Sequence, residues 1–314
     1  MALLLIAGLL FGLVHPGCKW ITSGGLELLP FCLMFVVARI LFQLPVVWKS
    51  GGVHVGSKSE WKILMALGLV GAALRVTEFA GIVDGLPVSL VSFLIYLHPV
   101  WTIFFSRWLN NDPIDAFKVL KIGAALLGTS LICDLSSVNE FKHVLALWSP
   151  IVAGMLISLW ICLSTRAQRE GTSVVSISFY YDIFTLVPLL TYSLLRMDAN
   201  DWMQTVTWIS IPQNVLIMGA FTLITGVLPN YAFYFGLVRS TALAAALLML
   251  FEPIASTLIA VWAWGEPISS SFYWGAILIL LINLPDSVFI MLLSKRSRVF
   301  PSSLQKKLPA AVSK

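Results

Sequence analysis

Ionisable side chains inside long apolar stretches are the residues of this sequence that could do chemistry. Glu252 and His98 each precede a proline and lie about halfway along an apolar segment. Arg75 and Glu78 stand three residues apart, so they share one face of a helix. An ionisable residue at membrane depth costs about 2.5–3.5 kcal/mol on insertion scales. Each of these residues therefore needs a partner, a wet cavity or a neutral form.

The chemistry expected of these residues is solute binding and proton transfer. Histidine and buried carboxyl groups can exchange protons near neutral pH, so Glu252 and His98 could bind a solute or carry a proton. Helix packing is the alternative, because each side chain could bond to a backbone group that the following proline leaves free. Arg75 and Glu78 could likewise form a structural ion pair, or present both charges to a zwitterion such as an amino acid.

Further candidates are polar or aromatic residues at similar depths. Asp182 lies inside the seventh apolar segment and is deep enough to contact a solute. Arg39 is expected to be structural, close to the cytoplasmic end of its helix and able to extend towards the interface. Pro229 interrupts the eighth segment, where it could line a substrate path or simply kink the helix. The remaining candidates for solute contact are Tyr96, Trp101, Trp160, Asn230, Tyr231 and Tyr234.

The composition places these residues in a membrane protein. Of the 314 residues, 59% are hydrophobic and 11% are charged, whereas soluble proteins carry about 25% charged residues. A membrane-spanning helix needs about 20 apolar residues. We predict an all-α integral membrane protein with ten transmembrane helices at about 2–21, 29–48, 61–82, 86–108, 117–134, 144–164, 173–196, 213–237, 241–264 and 272–293. Gly8 with Gly12, and Gly68 with Ala72, have the small-residue spacing typical of close helix contacts.

The distribution of lysine and arginine predicts the orientation in the membrane. If the N-terminus is cytoplasmic, most of the 20 basic residues lie in inside loops and in the tail, whereas Lys19, Lys142 and Arg196 lie outside. This bias is the one that cytoplasmic loops show, so both termini are expected to be cytoplasmic. It also explains the net charge of +5 without a nucleic-acid partner.

An internal repeat divides the chain into two halves. Shifting the sequence by 154 residues aligns the stretch from Tyr96 with the stretch from Leu250. Four aligned pairs are identical: Pro99 with Pro253, Trp108 with Trp262, Pro113 with Pro267 and Ile114 with Ile268. Each copy is the fourth helix of a five-helix half, and an odd number of helices inverts the second copy in the membrane. We predict two inverted repeats at 1–135 and 144–294, a linker at 136–143 and a basic cytoplasmic tail at 295–314.

With these motifs the chain resembles the EamA-type permeases of the drug/metabolite transporter superfamily. The second half resembles the family signature more closely, through FEPIASTLIAVWAWGEPI with Glu252, Pro253, Gly265 and Glu266. Arg39 and Pro99 fit the family in the first half, whereas His98 and the Asn111-Asp112 pair depart from it. The resemblance implies a ten-helix transporter with its site near the midplane between the halves, and it points to a bacterial inner membrane.

We therefore expect a secondary active transporter that works by alternating access, without a cofactor. Its partners would be a small-molecule solute and membrane lipids, with the protein a monomer or homodimer. The mixed charges favour an amino acid-like, zwitterionic or weakly charged solute, and Glu252 and His98 would permit proton coupling. A nucleotide-sugar-type or lipid-like solute remains an alternative, as does an intramembrane enzyme. The enzyme motifs HExxH and GxSxG are absent from the sequence, as is the GxxxxGK[ST] loop of ATP-driven transport.

Overall fold

The computed structural model describes residues 2–83, 88–132, 147–264 and 270–282, and every regular element in these ranges is helical. The helices before residue 133 are α1 Ala2–Phe11, α2 Val14–Ser23, α3 Leu28–Lys49, α4 Lys58–Val83, α5 Val88–Ile95, α6 His98–Asn110 and α7 Ala116–Ile132. Those after residue 146 are α8 Trp148–Arg169, α9 Val174–Arg196, α10 Ala199–Ile209, α11 Pro212–Thr222, a π-helical segment Leu223–Val227, α12 Leu228–Leu237, α13 Ala242–Met249, α14 Phe251–Trp264 and α15 Ser270–Ile282.

The predicted apolar segments coincide with these helices, and the chain is an all-helical membrane protein. Within the described residues, seven helical stretches are long and apolar enough to cross a membrane, at 2–23, 28–49, 58–80, 148–169, 174–196, 212–237 and 242–259. The fourth, fifth and tenth predicted segments are also helical but fall outside these seven. The predicted linker 136–143 and tail 295–314 lie outside the described residues, as does the end of the tenth predicted segment.

The fourth and ninth predicted segments are each broken into two helices at the same point of the repeat. The break between α5 and α6 lies at residues 96–97, and the break between α13 and α14 lies at Leu250. Pro99 follows the first break and Pro253 follows the second. Proline lacks the N–H that would continue the helical hydrogen-bond ladder, so it favours a new helix start at both places. The shift of 154 residues that aligns the sequences also aligns Tyr96 with Leu250.

The helices of the two halves pack against each other more extensively than within a half. Helix α4 packs on α8 and α9, α1 packs on α12, and α7 packs on α15. Helix α6 packs on α8, and α14 packs on α1. The hydrophobic core therefore lies between the halves, and any group at the centre of the bundle faces elements of both.

Close helix contacts occur at the predicted small residues. A Cβ added at Gly8 would lie 3.1 Å from the Leu248 carbonyl oxygen, and one at Gly12 would lie 2.9 Å from the Glu252 carbonyl oxygen. A Cβ added at Gly68 would lie 2.1 Å from the Phe184 Cβ and 2.8 Å from its Cα. The predicted close contacts at Gly8, Gly12 and Gly68 are confirmed, and the absence of a side chain is what allows them.

Substituting Gly68 with alanine is expected to lower the free energy of unfolding by about 1–3 kcal/mol, because the new methyl group would displace the α9 backbone. Gly123→Ala is a matched control, since a Cβ there meets no atom within 4 Å. The control should change stability by less than about 1 kcal/mol, with alanine's higher helix propensity in its favour. Thermal melting in detergent measures both variants. A Gly68→Ala protein that melts at or above the wild-type temperature would contradict the close packing of α4 on α9.

Helix α10 was not among the predicted elements. Asp198 and Asp201 form a capping box at its start, which satisfies backbone N–H groups of the first turn. Trp208 is buried, whereas Met203 and Val206 are exposed although apolar. The helix connects two membrane-spanning stretches, so its exposed apolar face lies where bilayer surface is expected. This helix is too short and too polar to be detected by the hydropathy that identifies membrane-spanning segments.

Candidate functional site

Ionisable and polar side chains within the bundle form two clusters that share one aromatic ring. The Arg39 cluster consists of Arg39, Gln43, Ser178, Asp182, Asn230 and Tyr231. The Glu252 cluster consists of His15, Arg75, Glu78, Tyr96 and Glu252. The Phe35 ring lies 5.9 Å from the Arg39 guanidinium and 5.2 Å from the Arg75 guanidinium, so it contacts both clusters.

The Arg39 cluster is built on a buried ion pair between helices α3 and α9. Arg39 Nε lies 3.0 Å from both carboxylate oxygens of Asp182, and the Gln43 side-chain amide also donates to Asp182. The Arg39 and Asp182 side chains are each 1% exposed. The aliphatic part of Arg39 packs on Gly226 in the π-helical segment, where a Cβ would lie 3.2 Å from Arg39 Cγ and Cδ. This pair is sealed in the protein.

The remaining members of the Arg39 cluster come from α9 and α12. The Asn230 side-chain amide donates to Ser178 Oγ at 3.1 Å, and the Tyr231 hydroxyl lies 3.5 Å from Gln43 Oε1. Asn230 and Ser178 are each 1% exposed. These contacts join α12 to α3 and α9, so they hold the helix that follows the π-helical segment.

The expectation that Arg39 lies near the cytoplasmic end and extends towards the interface is wrong. Arg39 stands near the middle of α3 and is paired with Asp182. The physical reason is that Asp182 on α9 neutralises the guanidinium inside the bundle, which removes the need to reach water. The expectation that Arg39 is structural agrees with this pairing, and Asp182 is its counter-ion.

The Glu252 cluster brings together charges from both halves of the chain. Arg75 Nη1 lies 3.1 Å from Glu78 Oε2 on the same helix. His15 lies between two carboxylates, with Nε2 at 3.9 Å from Glu78 Oε1 and Nδ1 at 3.8 Å from Glu252 Oε1. The Tyr96 side chain, at the break between α5 and α6, interacts electrostatically with the Glu252 carboxyl group. Four stretches of chain therefore meet at Glu252.

Accessibility distinguishes the two clusters. The side chains of Arg75, Glu78 and Glu252 keep 11%, 10% and 13% of their surface exposed, whereas Arg39 and Asp182 keep 1%. A charged group that retains accessible surface inside a bundle can meet a solute, and a sealed ion pair cannot. Arg75 neutralises Glu78, so Glu252 adds a carboxyl group beyond that pair. The Glu252 cluster is therefore the candidate binding site.

His98 and Glu252 are not neighbours, although the repeat aligns them. His98 begins α6 and is 2% exposed, and its described hydrogen bonds are to its backbone carbonyl, from Thr102 Oγ1 at 2.8 Å and Ser158 Oγ at 2.6 Å. None of its hydrogen bonds in the described part of the chain reaches Glu252. The imidazole that faces Glu252 is that of His15.

The aromatic candidates divide between core and helix surface. The Trp160 indole N–H donates to the Tyr234 hydroxyl at 3.1 Å, and the Trp160 ring stacks on Phe233 at 4.3 Å between centroids. Trp160 and Tyr234 are buried in the same hydrophobic cluster, so both pack the core. Trp101 is half-buried on α6. Neither Trp160 nor Trp101 has a described contact with the Glu252 cluster.

His15 and Gln43 are site residues that the sequence reasoning missed. His15 lies within the first apolar segment and is followed by Pro16, so the His98-Pro99 dipeptide has a second copy there. That dipeptide, together with an ionisable residue at membrane depth, could have identified His15. Gln43 is uncharged and carries no comparable signal.

An apolar crevice of about 520 Å³ lies between α2, α11 and α14. Leu13, Pro16, Phe221 and Ile259 contribute to its walls, and Thr225 is its polar member. None of the charged groups of the Glu252 cluster lines it. The crevice suits an apolar group and is separate from the candidate site.

Comparison with known proteins agrees with this architecture. Residues 1–133 match the model of the EamA-like transporter family. An uncharacterized transporter of Clostridium kluyveri is 23% identical over 80% of this chain and 81% of its own length. Another, from Archaeoglobus fulgidus, is 23% identical over 79% of this chain and 84% of its own length. A crystal structure of a protein at 15% identity aligns with 95% of this chain and 98% of its own, with a TM-score of 0.69, which shows that the fold is shared.

The comparisons and the helical architecture point to a membrane transporter and away from an enzyme. The family model matches the first half, although the quoted signature is clearer in the second half. The resemblance found in the sequence is therefore confirmed over residues 1–133, which match the EamA-like transporter family, a part of the drug/metabolite transporter superfamily.

Proposed function

We propose that this protein is a secondary active transporter that moves a small amino acid-like, zwitterionic or weakly charged solute by alternating access. The observation that carries the proposal is the Glu252 cluster, where an Arg75–Glu78 ion pair and a second carboxyl group keep accessible surface inside a helical bundle. Glu78 belongs to the first half of the chain and Glu252 to the second. The contacts of a solute bound between them would therefore change when one half moves against the other.

The proposal includes a five-plus-five arrangement of inverted repeats, with both termini cytoplasmic. Exchanging the two halves turns the α4–α8 contact into the α12–α1 contact, and the α6–α8 contact into the α14–α1 contact. The same exchange maps the α3–α9 and α7–α15 contacts onto themselves. These matched contacts and the equivalent helix breaks support a pseudo-two-fold axis. A bacterial inner membrane is part of the proposal and is supported by the family resemblance.

Contacts between the halves at one end of the bundle support a state that is closed on that side. Arg169 donates to the Asp112 carboxylate and to the Asn110 carbonyl, each at 2.9 Å. Thr172 Oγ1 donates to Glu60 at 2.9 Å. Glu78 lies on the same helix as Glu60, about 27 Å further along its axis at 1.5 Å per residue. In the proposed orientation the closed end is cytoplasmic, so the solute would reach the site from the outer side.

The charges of the Glu252 cluster support a solute that is not strongly anionic. Arg39 is neutralised by Asp182 and sealed, so of the two arginines in these clusters Arg75 is the one whose guanidinium keeps accessible surface. Arg75 is itself paired with Glu78. A nucleotide sugar would need more uncompensated positive charge than this site offers. An ammonium group, alone or with a carboxylate, suits the excess carboxyl group better.

A lipid-like solute is the second candidate, and the apolar crevice beside α2 favours it. That crevice could hold a hydrocarbon chain, because Leu13, Phe221 and Ile259 line it. It lacks the charged groups that would orient a polar head. We therefore rank a lipid-like solute below a small polar solute as the candidate substrate.

Flux into proteoliposomes tests the proposal. Protein reconstituted into liposomes should exchange labelled amino acids or amines better than nucleotide sugars or lysolipids. Arg75→Gln should reduce uptake at least tenfold, because its charge lies in the site. Lys118→Gln is the control, since it removes a half-buried charge outside the Glu252 cluster that pairs with the exposed Asp115. Uptake restricted to nucleotide sugars or lipids, or uptake that Arg75→Gln leaves unchanged, would overturn the proposed solute class.

A further inference from the structure

His15 is buried between two carboxylates, and its ring nitrogens are unsatisfied. Its side chain is 2% exposed, and neither Nδ1 nor Nε2 has a hydrogen-bond partner within the described part of the chain. Nδ1 lies 3.8 Å from Glu252 and Nε2 lies 3.9 Å from Glu78, which are ion-pair separations beyond hydrogen-bond length. Buried polar groups are almost always hydrogen-bonded, so an unsatisfied imidazole indicates that something else completes the site.

The groups around His15 offer more hydrogen-bond acceptors than donors, so the cluster needs one further donor. A neutral imidazole has one N–H and one lone pair, and an ionised carboxylate only accepts. Whichever tautomer His15 adopts, one ring nitrogen presents a lone pair to a carboxylate oxygen. Two acceptors facing each other need a shared donor, and without one they are left desolvated and unpaired. Arg75 donates to Glu78 Oε2, whereas His15 lies beside the other oxygen, Oε1.

The other groups around His15 do not supply this donor in the described part of the chain. Arg75 and Glu78 face it from α4, and Glu252 faces it from α14. The Tyr96 side chain interacts electrostatically with Glu252, and the Cys32 thiol of α3 donates to the Arg75 carbonyl at 3.5 Å. Cys18 shares helix α2 with His15, and the Phe79 ring packs edge-on against the imidazole. The described side chains also include no group of three His, Cys, Asp or Glu suited to hold a metal ion.

We propose that the gap between His15 Nδ1 and Glu252 holds one positively charged hydrogen-bond donor, which is alternately a proton and the ammonium group of the transported solute. This inference rests on the proposed transport function and specifies its substrate and its coupling. With His15 Nε2–H directed to Glu78, an ammonium group can donate one N–H to Glu252 and another to the lone pair of His15 Nδ1. A proton on His15 or Glu252 provides the same bridge when the solute is absent.

Exchange follows from the short separations and the charges of the site. A proton and an ammonium group cannot occupy the gap together, because the second positive charge would face the first across a few ångströms with Arg75 beside both. Binding of the solute therefore releases one proton, and binding of a proton releases the solute. Because His15 belongs to the first half of the chain and Glu252 to the second, the shared donor also links the halves.

Nitrogen-15 NMR of histidine-labelled protein in lipid nanodiscs tests the proposal. The His15 resonances are assigned by their loss in His15→Asn, with His54→Asn as the control at an exposed histidine. In the wild-type protein we expect the His15–Glu252 site to gain one proton as the pH falls. In Glu252→Gln the side-chain amide donates in place of the shared proton, so His15 should stay neutral over the same pH range.

The probe for the second arm is methylammonium, with tetramethylammonium as an ion of equal charge without N–H donors. Methylammonium should displace the proton from the wild-type site, and tetramethylammonium should not. A His15 signal that is the same at every pH in wild type and Glu252→Gln would overturn the proposal. Proton binding that ignores methylammonium would overturn the exchange and leave a proton site alone. Displacement of the proton by tetramethylammonium would show that the bound cation does not need N–H donors, and would overturn the proposed hydrogen-bonded bridge.

Failure of this inference can be told apart from failure of the transport function. If the wild-type protein transports solute in proteoliposomes but His15 does not titrate, the proposed transport function is kept and the proposed proton–ammonium exchange is rejected. If His15 titrates but no solute in the panel is transported, the proposed transport function is rejected and the proton site is kept.

Discussion

Arg39→Met is expected to lower the free energy of unfolding by about 3–5 kcal/mol. The substitution removes the partner of Asp182, whose side chain is 1% exposed, and leaves a carboxylate without its counter-ion in the bundle. Gln43 would still donate to Asp182, but an amide does not neutralise charge. Methionine preserves most of the volume that packs on Gly226, so the loss reports charge more than cavity formation. Unfolding in mixed micelles with increasing SDS measures the effect.

The double variant Arg39→Met/Asp182→Leu is the control for this result. Replacing both charges with apolar groups removes the unpaired carboxylate, and buried ion pairs replaced in this way often lose little stability. We expect the double variant to recover most of the loss. A double variant as unstable as Arg39→Met would show that the loss came from packing and not from the buried charge. A stable Arg39→Met protein would contradict the sealed ion pair.

Arg75→Met provides a comparison within the same bundle. Arg75 and Glu78 keep about ten times more exposed side-chain surface than Arg39 and Asp182. Water can therefore reach the unpaired Glu78 after the substitution. The loss of stability should be clearly smaller than for Arg39→Met, while solute uptake should fall more.

Glu252→Gln is expected to abolish proton-driven transport while the protein remains folded. Glutamine keeps the size and hydrogen-bonding capacity of the side chain but cannot release a proton. Its amide can donate towards His15, so the packing of α14 is expected to be retained. Uptake driven by an imposed pH gradient should fall to the level of protein-free liposomes, and the melting temperature should shift by only a few degrees.

Asp115→Asn is the matched control, because it removes a carboxylate that is 53% exposed on the surface. This variant should keep the pH dependence of the wild-type protein. Two measurements are needed: uptake as a function of the pH difference across the membrane, and counterflow at equal pH. Unchanged pH dependence in Glu252→Gln would refute a proton role for this residue. Exchange that survives only at equal pH would agree with a role in coupling and not in folding.

The segments that cross the membrane follow from local properties of the sequence. Long apolar runs such as 174–196 form helices because each backbone N–H and C=O must be satisfied within the segment in lipid. The breaks before Pro99 and Pro253 are also local, since proline has no N–H to donate. Helix α10 escaped prediction because its stability depends on end-capping by Asp198 and on contact with neighbouring helices.

The charged residues at membrane depth could be recognised from the sequence, but their partners could not. Arg75 and Glu78 are three residues apart, so helical geometry alone predicts their pair, and the structure contains it. Arg39 and Asp182 are separated by 143 residues, and no local rule joins them. The repeat suggested His98 as the partner of Glu252. In the structure His15 takes that position instead. Helix α14 packs on α1 and α2, and His15 lies on α2, 3.8 Å from Glu252.

The amino-acid sequence by itself determined that this chain is a helical membrane protein, that its apolar segments contain ionisable residues, and that it resembles EamA-type permeases. These properties depend on composition and short spacing, because transfer into a bilayer acts on each segment separately. Only the tertiary structure decided that Arg39 is sealed against Asp182, while Glu252 keeps accessible surface beside His15 and Glu78. The physical reason is that pairing depends on which helix faces meet, and those faces come from distant parts of the chain.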